Sequence, residues 1–148
     1  MITNLIVDAT VDADGCDNCK QDLGMGSGMI PDPSISASST YYKSVAPQHA
    51  RVNQEKDGGA WCPKPLVAQE ATEWLQVDLE DLKVITMVET QGRYGMGQGQ
   101  EFTPHYMLEY RRDNASNWIR YKNITGGEVK TTSENKLSLA PWHKKINK

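Results

Sequence analysis

The chain lacks most of the features that would commit 148 residues to chemistry or to a membrane. Its uninterrupted apolar runs are four residues or shorter, as in Asn4-Leu5-Ile6-Val7-Asp8, too short for a bilayer span or a signal-peptide core. Positive charge is also in short supply: 16 Lys and Arg stand against 19 Asp and Glu, a formal net charge of −3. A phosphate-tracking surface needs clustered cations to displace counterions, so nucleic acid is not an expected partner. The lysines among His143 to Lys148 read as a solvated tail.

Catalytic signatures are equally sparse. His49, His105 and His143 are far apart and make no His-Glu-x-x-His pattern, so no metal site is expected. Cys16-Asp17-Asn18-Cys19 has the Cys-x-x-Cys spacing, but a structural zinc needs four ligands and Cys62 is the one further thiol. A redox centre of that spacing needs a helix start in a βαβ setting, which is missing. The glycine runs at Gly24-Met25-Gly26-Ser27-Gly28 and Gly95-Met96-Gly97-Gln98-Gly99 complete neither Gly-x-Gly-x-x-Gly nor a Gly-Lys-Ser/Thr ending, and read as loops. No cofactor is expected.

What the chain does have is punctuation. Turn formers recur from Gly24 through Pro31, Pro33, Gly58, Gly59, Pro63 and Pro65 to Gly126 and Gly127, which suits short strands. Tyr106, Leu108 and Tyr110 alternate with Met107, Glu109 and Arg111, and the turn-rich Asp113 to Asn117 leads into Trp118 to Lys122. This predicts a hairpin. Val84 to Val88 predicts a buried strand. Trp74 to Leu82 is ambiguous: Leu75, Val77 and Leu79 alternate as a strand would, yet Ala71, Leu75, Leu79 and Leu82 also share a helical face. Short strands without strand-helix alternation predict an all-β sandwich or barrel. One domain is the expectation at this length, with Met1 to Asp17 an acidic mobile leader and the core beginning near Cys19.

Five segments in register carry a resemblance. Leu23-Gly24-Met25 with Ile30-Pro31, Ile35-Ser36-Ala37-Ser38-Ser39, Gly59-Ala60-Trp61-Cys62-Pro63, Glu73-Trp74-Leu75-Gln76-Val77-Asp78-Leu79 and Thr90-Gln91-Gly92-Arg93 resemble the discoidin domain, or coagulation factor V/VIII type C domain. The likeness runs from about Cys19 to about Leu139. The Gly59 to Pro63 segment and the Gly-rich run from Arg93 into Glu101-Phe102 look most like the collagen-binding domain of discoidin domain receptors. The resemblance implies a galactose-binding-like jelly-roll β-sandwich with binding loops at one end, decides Trp74 to Leu82 for a strand, and places Trp61, Trp74 and Trp118 in or near the core. It implies an extracellular adhesion or receptor module that binds a collagen triple helix and is not itself an enzyme. Receptors of the family carry a membrane span and an intracellular tyrosine kinase; these residues encode neither.

The implied contact set is Tyr41, Val45, Arg93 and Glu101. Tyr41 stands where the family usually has Trp, Val45 replaces a threonine, and Gly58 replaces an aspartate that steadies the arginine, with Asp57 adjacent. A second role also follows from the family: Tyr41 and Tyr42 as loop tips on an anionic membrane, with Lys43 and Arg51 for the head groups; a glycan ligand is a further alternative. Cys19 and Cys62 match family cysteines that form disulfides with partners near the C-terminus, and the chain holds three cysteines in all, so both partners are missing. After Leu139-Ala140-Pro141 the family's closing strands are replaced by Trp142 to Lys148, so residues 18–148 are read as a domain truncated at its C-terminus. The sequons at Asn114 and Asn123 matter in the secretory pathway, and the chain is read as a fragment without its signal sequence.

Overall fold

The computed structural model describes residues 4–9, 22–65, 73–83, 85–93, 101–103, 106–122, 126–127 and 137–138. Over these residues the protein is all-β, with helical structure confined to three short 3₁₀ turns at Asp32–Ser34, Lys43–Val45 and Pro47–His49. The strands are β1 (Asn4–Ala9), β2 (Ile35–Ala37), β3 (Leu75–Val77), β4 (Ile85–Gln91), β5 (Glu109–Tyr110), β6 (Ile119–Arg120) and β7 (Leu137–Ser138).

Three antiparallel arrangements result. β4 lies between β1 and β7, with Val7 opposite Val88 and Leu137 also opposite Val88. β2 pairs with β3 and β5 with β6. β1 falls inside the segment expected as a mobile leader; the structure differs there, since Asn4–Ala9 form strand pairs along β4 with a register shift between Asp8 and Ala9.

The ambiguous segment holds a strand, over Leu75–Val77, and its apolar residues alternate. Leu75, Val77 and Leu79 pack on the buried Met25, Ile30 and Ile35, while Leu82, which a helical face would bury, is 66% exposed. The predicted hairpin is present, shorter than its pattern, with Glu109 opposite Arg120 and Tyr110 opposite Ile119. Its inner residues Leu108, Tyr110 and Tyr121 join Val88 and Ile85 in a second core cluster, and burial raises the Tyr121 hydroxyl pKa above its ordinary value.

Two buried groups fix the loops between these strands. Gly24 has φ +99°, and a Cβ there would come within 2.5 Å of the Met29 Cβ, so glycine is required for the turn that returns Gly28 and Ile30 to the Gly24 carbonyl. Arg51, 5% exposed, donates to the Met25 carbonyl at 2.8 Å, the Ile30 carbonyl at 2.8 Å and the Asp32 carboxylate at 2.6 Å. Carbonyls turned inward by a loop must find donors, and one guanidinium supplies three here.

Trp61 is buried as expected, and its Nε1 donates to the Ser39 carbonyl at 2.8 Å. Trp74 and Trp118 depart from the core expectation: both are about half exposed.

Candidate functional site

The site is assembled where β4 runs out. Gln91, its last residue, accepts the Asn53 amide through Oε1 at 2.8 Å. A Cβ on Gly92 would stand 3.1 Å from the Phe102 Cβ and 3.2 Å from the Glu101 carbonyl, so this position needs a small residue for the returning strand to come alongside. Arg93 and Glu101 then form an isolated antiparallel bridge, Arg93 N to Glu101 O at 2.7 Å and Glu101 N to Arg93 O at 3.3 Å. The same two residues pair through their side chains, Nη1 to Oε2 at 3.3 Å.

This doubled link holds the guanidinium in place while part of it stays accessible. Glu101 occupies Nη1, and the buried Arg93 Nε–H has no acceptor among the described residues. Phe102, next in the chain, is 53% exposed; its place beside Glu101 was visible in the sequence, its exposure was not.

Tyr41 reaches the same neighbourhood through Cys62. The Tyr41 amide donates to the Cys62 carbonyl at 2.9 Å, and the Cys62 amide donates to the Val45 carbonyl at 3.0 Å. Burial pushes the Cys62 thiol up, Arg93 pulls it down and Glu101 raises it, so Cys62 sits within the field of both charges. Cys62 is a free thiol; Cys16 and Cys19 lie outside the described residues.

Tyr41 is 55% exposed and Tyr42 64%. Their rings meet edge to face at 4.3 Å between centroids, and the side-chain hydrogen bond to Tyr42 raises the Tyr41 phenol above its ordinary pKa. The loop before them is secured by Ser38 and Ser39, whose hydroxyls donate to one Glu73 oxygen at 2.6 and 2.5 Å. Those two bonds hold the Glu73 carboxyl below its usual range. Sequence reasoning missed Glu73 in this role, although Ser38, Ser39 and Glu73 all stand in the matching segments.

Val45 requires a correction. Expected among ligand contacts, it is buried, because Gly58 leaves it room: a Cβ at Gly58 would collide with Val45 Cγ1 and stand 2.7 Å from the Ser44 carbonyl. With 6% of its surface exposed, Val45 packs inside the loop instead of standing on its outer face. Asp57 does not take over from an aspartate at position 58, since its carboxylate pairs with His49 Nδ1 at 3.4 Å. Arg51, a candidate for lipid head groups, is consumed by the inward carbonyls described above.

Among the described residues no group of three or more His, Cys, Asp or Glu is placed to hold a metal, and no helix is long and apolar enough to cross a membrane. Asn114 is exposed in the β5–β6 turn; Asn123, His105 and His143 lie outside the described residues.

Comparison with known proteins gives the family. The F5/8 type C domain matches residues 34–144. The chain belongs to the discoidin family. It is 54% identical over 112 residues to discoidin domain-containing receptor A of Caenorhabditis elegans, covering 74% of this chain and 14% of that receptor. It is 42% identical over 116 residues to human epithelial discoidin domain-containing receptor 1, covering 78% of this chain and 13% of the receptor. Retinoschisin of Takifugu rubripes is 38% identical over 109 residues, which cover 70% of this chain and 37% of retinoschisin. As a discoidin domain the chain is a β-sandwich binding module, a small share of the length of the receptors it resembles.

Proposed function

We propose that this discoidin domain is the extracellular ligand-binding module of a receptor and that the face carrying Tyr41, Arg93 and Glu101 binds a collagen triple helix. The observation that supports it most is the doubled Arg93–Glu101 link beside an exposed tyrosine tied to Cys62. A triple helix exposes backbone carbonyls and hydroxyproline hydroxyls along a rod. An arginine fixed by a carboxylate offers those acceptors directed donors without first losing its own freedom. Tyr41 and Phe102 add amphipathic and apolar ring surface for the side chains between them.

The membrane reading is less well supported. Tyr41 and Tyr42 pack edge to face on each other rather than standing apart as insertion tips, and Arg51 is buried. In the intact receptor we assign this module the role of sensing matrix, with signalling left to an intracellular tyrosine kinase elsewhere in the protein.

Binding to immobilised triple-helical collagen, heat-unwound collagen and anionic vesicles tests the proposal. Retention on the triple helix alone is expected, with loss of that retention in Arg93→Ala. Retention on vesicles abolished by Tyr41→Ala with Tyr42→Ala would overturn it in favour of lipid, and retention on neither by folded protein would favour a glycan.

A further inference from the structure

The outer face of the β5–β6 hairpin belongs to none of this. With Leu108, Tyr110 and Tyr121 turned to the core, the opposite face presents Met107, the Glu109–Arg120 ion pair at 2.8 Å and Trp118, 45% exposed. Arg111 lies over the Trp118 ring, 4.6 Å from its centroid. The turn is built by Asp113, whose Oδ1 accepts the Ala115 amide at 2.9 Å and the Ser116 amide at 2.7 Å. At its tip Asn114 is exposed, and its Oδ1 accepts from Arg111 Nη2 at 2.9 Å. Asn114, Arg111 and Trp118 are therefore contiguous, and Asn114-Ala115-Ser116 is a sequon.

We propose that Asn114 carries an N-linked glycan whose first sugar rests on Trp118. In the transfer, Asn114 Nδ2 loses one hydrogen and bonds to the anomeric carbon of a lipid-diphosphate-linked oligosaccharide. The anomeric C–O bond to the diphosphate breaks, and the proton leaves with the released diphosphate. Arg111 engages Oδ1, which the modification leaves in place, so the same hydrogen bond that now turns Asn114 toward the hairpin face keeps the sugar there. Arg111 covers one face of the Trp118 ring, and the apolar C–H face of a pyranose covers the part of the indole that Arg111 leaves exposed. Sequon spacing alone ranks Asn114 and Asn123 equally; among the described residues Asn114 is the sequon asparagine, and it stands beside an aromatic platform.

This inference rests on the extracellular placement and not on collagen as the ligand. The test is secretion of the chain from animal cells behind a secretory leader, followed by peptide N-glycosidase and mass mapping, which reads each formerly modified Asn as Asp. Conversion at Asn114 is expected, together with nuclear Overhauser contacts between the first sugar and the Trp118 indole. Enzymatic removal of the glycan is expected to lower Tm by about 3 °C and to lower it much less in Trp118→Leu. Folded, secreted protein bare at Asn114, or a modified protein without sugar-indole contacts, overturns the inference. A modified protein that shows those contacts but ignores collagen supports it and defeats the ligand assignment alone.

Discussion

Arg51 and Arg93 are two arginines set into neighbouring loops, and they do opposite things. Around Arg51 the chain has folded inward: two carbonyls and one carboxylate take three of its donors, and the side chain is buried. Around Arg93 the backbone bridge to Glu101 already satisfies the main chain, and the guanidinium gives Nη1 to Glu101 while part of the side chain stays exposed. The lesson is that an arginine becomes available for binding when the surrounding backbone has closed its own hydrogen bonds without it.

That contrast can be broken in graded ways. Arg51→Ala leaves the Met25 and Ile30 carbonyls without their donor and is expected to cost about 3 kcal/mol, read as the largest fall in Tm, with collagen binding lost only through unfolding. Gly58→Asp is expected to cost about 1 to 3 kcal/mol, because the new side chain displaces Val45 and the 3₁₀ turn behind Tyr41. If that variant melts like the parent and binds better, Gly58 is no steric requirement.

Arg93→Ala is expected to spare stability and lower collagen affinity roughly tenfold, about 1.4 kcal/mol. The smallest effect belongs to Glu73. Its pKa is depressed in the folded state by Ser38 and Ser39, so its contribution is complete above the ordinary carboxylate range and is lost as pH falls through the lowered folded value. Binding and Tm of the parent should thus fall more in acid than those of Glu73→Gln, by a margin kept small by the exposure of the carboxylate. Parallel acid profiles would remove Glu73 from the loop's support.

Much of the fold was legible where the pattern is local. The alternation and turn formers between Tyr106 and Lys122 specify a hairpin from adjacent residues, and it is there, while the alternation of Leu75, Val77 and Leu79 left a helical face open and the resemblance decided for the strand that is found. β1 was not legible, since Asn4–Ala9 become a strand only by pairing with Ile85–Gln91, far along the chain. The same limit governed the site. The Arg93–Glu101 pair followed from a resemblance, while the burial of Val45 and Arg51 depends on which loops close over them, a long-range outcome that residue type does not encode. Trp74 and Trp118 were expected in or near the core from the resemblance, yet each is about half exposed, and Arg111 lies over the Trp118 ring.

The most direct test of the central claim compares the folded parent with Arg93→Ala on triple-helical collagen, both confirmed by melting curves. The account predicts that the parent binds the triple helix and not the heat-unwound chains, and that the variant melts at the same temperature but binds about tenfold more weakly. Equal binding by both proteins would contradict it.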